Sequence, residues 1–533
     1  MLNKSLKIAV LTGNNSTGEQ HLIRLLRSEF DNVIIVAAKP KNPTHFTLRY
    51  TAGMVWKIVR LSFKKVFLRY DYCITPLVKL KPKVDVEELD INSTMVRTSL
   101  ERFKPDVICI YGTKKIADHI LATAPISLNI HNGFVPYYRG VSSGYWVSLE
   151  SNFNYLSYSI HQATSTIDAG NVYSSEPVIP HFFESLPDHQ YRQSIVSAKA
   201  MLRIVKNIAS GKTQSFKQPD LGTRNLKHKH KPLMFTSKAV HNFVSQNAIL
   251  YKHTTPRKGR IENFLVKRLH SRLPTTMANG WFIVNYHAIV DQTDFPIRGL
   301  PGIVTEMNQF HQHIKMYSDE FEFTSLSDGL RHFQSGATQN NKYISVTFDD
   351  ALRLPDEVLE LLSSKGIKPT LFLNSDPVIR RLPLENHLKY LKTLFKTIET
   401  NKPFECWVKS QYLSIGDIRS LVDRDVVEIG SHTAAHTKLN HTRQDDIETQ
   451  ITGAHKELER ELQLNLDYFA FPFGGLSDRS FLAEYEAIKT SSYYFSCSGG
   501  VNQRYAPGEL LRIGIHNESE AELTKLLCRQ YVR

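Results

Sequence analysis

The sequence predicts an α/β protein built from two successive sheets, and three observations predict it. Short apolar runs alternate with helical stretches over the first 140 or so residues. The alternation gives way to a basic stretch at 201–275. It resumes at Trp281 and continues through the rest of the chain. At about 150 residues per domain, 533 residues allow two to four domains.

The first element is the apolar run 7–11, which reads as a buried parallel strand ending in the polar Gly13-Asn14-Asn15-Ser16-Thr17. A helix over 19–27 and a strand over 32–38 follow. Residues 46–70 mix aromatics with Lys57, Arg60, Lys64, Lys65 and Arg69. They read as a helix packed on its own domain or as a basic amphipathic helix touching a membrane or acyl carrier. Strands follow at 106–112 and 127–131, each ending in polar or Gly residues. In open α/β sheets ligands bind beyond such strand ends. No GxGxxG follows the first strand, so no dinucleotide cofactor is indicated. In the second half, strands are expected at 281–287, 343–348, 369–373, 426–429, 468–471 and 493–497, with helices such as 446–462 between them. Repeated β then α suggests a barrel-like domain.

Composition narrows the function classes. Hydrophobic residues are 41% and charged residues 22%, which excludes wholesale disorder. No apolar run is long enough for a transmembrane helix, and the N-terminal apolar patch is too short for a signal peptide. The five cysteines are scattered, odd in number and form no CxxC pair, as expected of reduced cytosolic thiols. The formal net charge of +14 is concentrated. Residues 201–275 carry 16 Lys/Arg and 2 Asp/Glu, net +14, while 1–200 are net +7 and 276–533 net −7. This stretch reads as a solvated linker or as a region steering an anionic substrate. No nucleic-acid-reading motif stands beside it.

Two constellations carry chemistry. Asn129 and His131, at i and i+2 on a strand, point to the same side. An amide donor beside an imidazole suits acyl transfer to an amine: the amide stabilises an oxyanion and the imidazole handles the amine's proton. Asp168, in the turn-like Ile167-Asp168-Ala169-Gly170, could orient the histidine or a water. In the second half, Val346-Thr347-Phe348 ends in Asp349 and Asp350, and adjacent strand residues point opposite ways, so different jobs are expected of the pair. His432 and His436 are spaced i and i+4, on one helical face or turn. Two imidazoles and a carboxylate suit a catalytic Zn²⁺ or similar ion. Such an ion polarises an amide carbonyl and activates water.

The string Asn129-Ile130-His131-Asn132-Gly133-Phe134-Val135-Pro136-Tyr137-Tyr138-Arg139-Gly140 resembles the signature of the folate-dependent formyltransferases, a family that includes methionyl-tRNA, glycinamide ribonucleotide and sugar N-formyltransferases. Ser159-Ile160-His161 and Ile167-Asp168-Ala169-Gly170-Asn171-Val172 look like its second block. The resemblance covers roughly 1–200. It implies a Rossmann-like domain over 1–205, 10-formyltetrahydrofolate as donor, Asn129, His131 and Asp168 as the catalytic trio, and a pterin site near Tyr111, Gly112, Ile116 and Ile167.

Thr347-Phe348-Asp349-Asp350, His432-Thr433-Ala434-Ala435-His436 and Phe471-Pro472-Phe473-Gly474 resemble, in order, three motifs of the polysaccharide deacetylases, the NodB-homology group. Asn285-Tyr286-His287 resembles an opening strand of many members. This resemblance implies a distorted (β/α) barrel over 276–533, with Asp350, His432 and His436 as ligands of a divalent metal such as Zn²⁺ and Asp349 as the base. The usual Gly after the two Asp is Ala351. The arginine usual before the Pro-aromatic-Gly motif is absent, with Phe469-Ala470-Phe471 in its place, so no arginine stands there to orient Asp349. His516, in Arg512-Ile513-Gly514-Ile515-His516, is the expected general acid, and His287 an alternative site-lining histidine. Residues 206–275 are the expected basic connector.

Together the two resemblances imply a cytoplasmic bifunctional enzyme. It would remove N-acetyl from a nucleotide-linked acetamido deoxysugar and N-formylate the freed amine, for a surface-polysaccharide sugar such as those of lipopolysaccharide. Removal of the formyl group by the second domain, and a siderophore-type amine as acceptor, stand as alternatives. So does a non-catalytic second domain that binds or dimerises. A small-molecule substrate, no nucleic-acid partner and a possible homo-oligomer are expected.

Overall fold

The computed structural model describes residues 5–38, 88–218, 224–226, 276–530, apart from 14–15, 151, 181–185, 291–303, 386, 389–391, 393–402, 441–442, 475–477, 498–499, 504–508 and 529. The amphipathic stretch 46–70 and most of the basic segment 206–275 therefore lie outside the described residues. The chain divides into two compact units, Met1–Arg272 and Leu273–Arg533. Among the described residues no helix is long and apolar enough to cross a membrane.

The first unit is a Rossmann-like sheet. Its strands are β1 (Lys7–Thr12), β2 (Asn32–Ala38), β3 (Glu88–Leu89), β4 (Val107–Tyr111), β5 (Ile126–His131), β6 (Tyr138–Gly140), β7 (Ser157–Gln162), β8 (Val172–Pro177) and β9 (Arg224–Leu226). Among the described residues seven of them form one sheet in the order β3-β2-β1-β4-β5-β7-β8. The strands up to β5 run parallel, whereas β7 and β8 are antiparallel additions. Alternation sorts each strand between two cores, as the period of two requires. Ile8, Val10, Cys109, Tyr111, Leu128 and Ile130 pack on one face with the helices Thr17–Glu29 and Leu186–Ala209. Ala9, Leu11, Ile108 and Ile110 pack on the other. The first helix starts where expected because the Ser16 hydroxyl accepts the Glu19 N–H.

The second helix runs through position 205 to Ala209. The chain beyond it returns to the sheet: Phe216 bridges to Val172, and β9 pairs in parallel with β6.

The second unit is a nearly closed parallel barrel. Its strands are β10 (Gly280–Tyr286), β11 (Ala288–Val290), β12 (Val304–Glu306), β13 (Glu322–Phe323), β14 (Lys342–Phe348), β15 (Thr370–Leu373), β16 (Glu428–Ser431), β17 (Tyr468–Ala470), β18 (Tyr493–Ser496), β19 (Glu509–Leu511) and β20 (Ile513–Gly514). The barrel order is β19-β18-β17-β16-β15-β14-β10-β20. Its two ends, β19 and β20, are consecutive in sequence and separated only by Arg512, so the chain itself spans the seam.

Phe282, Val284, Tyr286, Ile344, Val346 and Phe348 face an outer core that includes Phe310, Ile314 and Leu458. Trp281, Ile283, Phe372, Phe495 and Leu510 belong to a second, inner cluster. Toward the carboxyl ends the positions that alternate with the outer core turn polar: Asn285 follows Ile283, and Thr347 follows Ser345. The expected helix 446–462 is present, interrupted by a π-helical turn, Thr449–Gly453. A buried ion cluster lies beside the β18–β19 edge. Arg479 donates to Glu484 at 2.8 Å and to Glu509 at 2.7 Å while stacking on Phe471.

Candidate active sites

In the first unit, β5 places Leu128 and Ile130 in one core, which leaves Asn129 and His131 on the opposite face. The antiparallel register sets His161 of β7 directly across from Asn129. Asp168, in a left-handed turn (φ 51°), reaches into this group. Its Oδ1 accepts the Asn129 amide N–H at 3.3 Å and lies 3.1 Å from His161 Nε2. Its Oδ2 accepts the Gly140 N–H at 2.8 Å and lies 3.3 Å from His131 Nδ1. Burial alone would raise the Asp168 carboxyl's pKa. The charges of His131 and His161, the His161 hydrogen bond and the Gly140 N–H more than offset it, so it is held well below the ordinary range. The other His131 nitrogen, Nε2, sits 2.7 Å from the Tyr138 carbonyl.

The structure thus brings Asn129, His131 and Asp168 together and adds His161. A fifth residue, Gln218, enters from beyond position 205. Its amide N donates to the carbonyls of Asp168 (2.9 Å) and Gly170 (2.7 Å), and its Oε1 accepts from Arg139. Nothing local in the sequence marks Gln218, because its partners are 48 to 79 residues away.

The four expected pterin-site residues stand in different surroundings. Tyr111 is buried on the helix-covered face, where its hydroxyl meets Ser197 and Asn132. Ile116 belongs to the opposite core. Gly112 occupies a left-handed position (φ 71°) in which a Cβ would strike Glu19. Ile167 is 48% exposed.

In the second unit Asp349 and Asp350 follow β14. They do not diverge as strand neighbours would, because the strand ends at Phe348 and Asp350 and Ala351 turn left-handed (φ 73° and 54°). This also explains why Gly suits position 351. His432 and His436 lie on a loop rather than a helix, with Thr433 and His436 at positive φ. That loop is clamped from behind. Asn374 donates to the His432 carbonyl, while the Gln450 carbonyl and side chain accept the Ala434 and Ala435 N–H groups at 3.0 Å.

The result is a buried Asp350–His432–His436 group. Asp350 Oδ1 lies 3.5 Å from His432 Nε2 and 3.2 Å from His436 Nε2. Among the described residues, Asp350 Oδ1 and His432 Nε2 have no hydrogen-bond partner. Ligand atoms on a tetrahedral zinc at about 2.0–2.1 Å stand about 3.3 Å apart, so this donor set fits a divalent ion. His432 Nδ1 donates to the Ala470 carbonyl at 2.8 Å, which leaves Nε2 as the lone-pair nitrogen.

Asp349 sits 3.6 Å from His432 Nε2. The arginine missing upstream of the Pro-aromatic-Gly motif has a replacement, Arg512, at the barrel seam. Its Nη1 and Nη2 donate to Asp349 Oδ1 and Oδ2 at 2.7 and 2.8 Å, a bidentate fork. Asn285 donates to Asp349 Oδ2 at 3.0 Å and accepts from Arg512 at 3.0 Å. Burial would raise Asp349's pKa, but Arg512 first, then His432, more than offset it, so the carboxyl is held low.

Extending the β10 registers sets His287 level with Asp349, one step beyond the β10–β14 pairing, and with His516, two steps beyond the β10–β20 pairing. Burial lowers the pKa of His287 against the opposing charges of Asp350 and Asp349, which places it among the site's charges. His516 Nδ1 is buried without a partner, and no ion pair joins its ring to Asp349 or Asp350 among the described residues. Phe473, 45% exposed, stands edge-on to His436 with ring centroids 4.6 Å apart.

Two family models match the chain: the formyl transferase model over residues 6–187 and the polysaccharide deacetylase model over residues 336–489. The chain therefore carries a formyl transferase domain and a polysaccharide deacetylase domain, a transferase and a hydrolase in one polypeptide. Solved structures similar to it include a polysaccharide deacetylase from Bacillus cereus, 18% identical, with 46% of this chain and 69% of that chain covered and a TM-score of 0.35. The Streptococcus pyogenes deacetylase PplD is 17% identical, with 47% and 99% covered and a TM-score of 0.35. A sugar N-formyltransferase from a Shewanella species is 10% identical, with 44% and 87% covered and a TM-score of 0.30. A search of the curated proteins returned no match.

Proposed function

We propose that the chain exchanges an N-acetyl for an N-formyl group on a nucleotide-linked acetamido deoxysugar, in the cytoplasm, for a surface polysaccharide. The observation that carries this reading is the pairing of a hydrolytic Asp–His–His site with an acyl-transfer Asn–His–Asp site in one chain. Hydrolysis first exposes the amine that the transferase then acylates. The reverse order would hydrolyse the transferase's own product.

In the hydrolytic site, Asp350, His432 and His436 would hold a divalent ion, zinc by the chemistry of the donor set. When bound, that ion supplies Lewis-acid polarisation of the amide carbonyl. Asp349, kept ionised by Arg512, takes the proton of the attacking water. His516 returns a proton to the leaving amine, with His287 as the neighbouring alternative. Phe473 offers an exposed apolar face beside His436 for the sugar ring.

In the transfer site, the donor implied by the family, 10-formyltetrahydrofolate, supplies the activated formyl group. Asn129 Nδ2 stabilises the oxyanion. His131 accepts the amine's proton, and Asp168 holds Asn129, His131 and His161 in one arrangement.

The test is mass spectrometry of UDP- and dTDP-linked acetamido deoxysugars incubated with zinc-loaded protein, with and without 10-formyltetrahydrofolate. Loss of acetyl without folate, and formyl in its place with folate, is the expected result. Formylation of free amino sugars with every acetamide untouched would sink the coupled reading.

A further inference from the structure

Asp350 presents its two carboxylate oxygens to different partners. Oδ1 faces the two histidine Nε2 atoms, whereas Oδ2 lies 2.8 Å from Nε2 of His387. His387 arrives from the segment between β15 and β16, and neither family motif includes it. Its ring is buried and stacked on Tyr412, with centroids 6.1 Å apart and planes 9° apart. Its Nδ1 is 3.1 Å from the Tyr412 hydroxyl.

The proton positions in this chain follow from its ends. The Tyr412 oxygen accepts the Leu384 N–H at 3.3 Å, so its own proton goes to His387 Nδ1. His387 then carries its proton on Nε2 and donates it to Asp350. Tyr412 is itself tied to the Asp350 turn. The Leu413 N–H donates to the Ala351 carbonyl at 3.0 Å and the Arg353 N–H to the Gln411 carbonyl at 2.9 Å. These bonds brace two consecutive non-glycine residues in the left-handed region, a conformation that persists only when its surroundings enforce it.

We propose that His387, oriented by Tyr412, is a positioning residue of the cation site: it occupies Asp350 Oδ2 so that Oδ1 alone is offered to the metal. With one oxygen committed, the carboxylate cannot swing to chelate through both, and coordination positions stay open for water and the amide carbonyl. The inference rests on the metal-dependent reading of this domain.

The experiment is zinc affinity of the full chain, stripped of metal and titrated with Zn²⁺ against a chromophoric chelator. The visible spectrum of the Co²⁺ form reports ligand geometry. His387→Leu is expected to weaken zinc binding about 10- to 100-fold, the usual effect of losing a partner of a metal ligand. His387→Gln, whose amide N–H can reach the same oxygen, should recover most of that loss. Tyr412→Phe should weaken binding several-fold with little change in core volume, and it decides the matter if His387→Leu does not fold. Native zinc affinity in His387→Leu or Tyr412→Phe, or His387→Gln no better than His387→Leu, overturns the proposal. Absence of zinc binding by the native chain overturns the metal-dependent reading and this proposal with it, a result distinct from native affinity in the variants.

Discussion

Arg512 shows how a single side chain fixes the state of a buried carboxylate. It is completely buried, stacks on Phe372 and meets Asp349 through a two-pronged contact. A buried carboxylate stripped of such a partner costs about 3–5 kcal/mol. Arg512→Met should therefore lower the melting temperature and abolish hydrolysis. Arg512→Lys keeps the charge but loses the fork. It should fold, with kcat for deacetylation reduced by up to about 100-fold and KM little changed. Steady-state kinetics of the two variants check this, and full activity in Arg512→Lys counts against Asp349 as the base. The residues themselves were legible unequally. Asp349, Asp350, His432 and His436 announce themselves because each pair sits within five residues and ends a recognisable strand. Arg512 and His387 do not, because their partners lie 163 and 37 residues away and only the folded barrel joins them. Ala351 was legible as a departure from the pattern, but not as a left-handed position held by its neighbours.

At the level of elements, the parallel strands were readable because each is a short apolar run ended by polar or glycine residues. Their ends were less so. The i, i+4 spacing of His432 and His436 suits a helical face or a turn, and of the two the chain there is the irregular one, a loop held by Asn374 and by Gln450 of the π-helical turn. The segment after position 205 was read from its charge as a connector. Gln218, one neutral residue within it, ties the Asp168 turn to Arg139. The ion cluster joining the helix Phe481–Thr490 to β19 gives a pH test. Burial pushes the Glu484 carboxyl up to about 7, with Glu509 adding to the push and Arg479 opposing it. An unfolded glutamate titrates near about 4.3. Between these values the folded state keeps a proton that the unfolded state has lost, so Glu484's contribution falls as pH rises through that window and levels off above it. Glu484→Gln is neutral throughout. Its melting temperature relative to the native protein should climb from pH 5 to pH 8, and a constant difference would refute this.

On the scale of the whole molecule, each unit has hydrophobic cores of its own, drawn entirely from its own residues. Scanning calorimetry should therefore resolve two transitions. Zinc at 100 times its dissociation constant adds about 2.7 kcal/mol to whatever it binds. It should raise one transition only, and a chelator should lower that same one. A single transition, or equal shifts in both, would argue against independent units. The seam of the barrel has a further consequence for how this protein comes into being. Strands β19 and β20 are laid down last, and Arg512 between them is what steadies a carboxylate made some 160 residues earlier. During synthesis from the N-terminus, the transferase half can mature while the hydrolase half still lacks the residue that holds Asp349 ionised. With Asp349 in its proposed role, hydrolytic competence would be timed by topology: the last join in the sheet would also be the step that switches the site on.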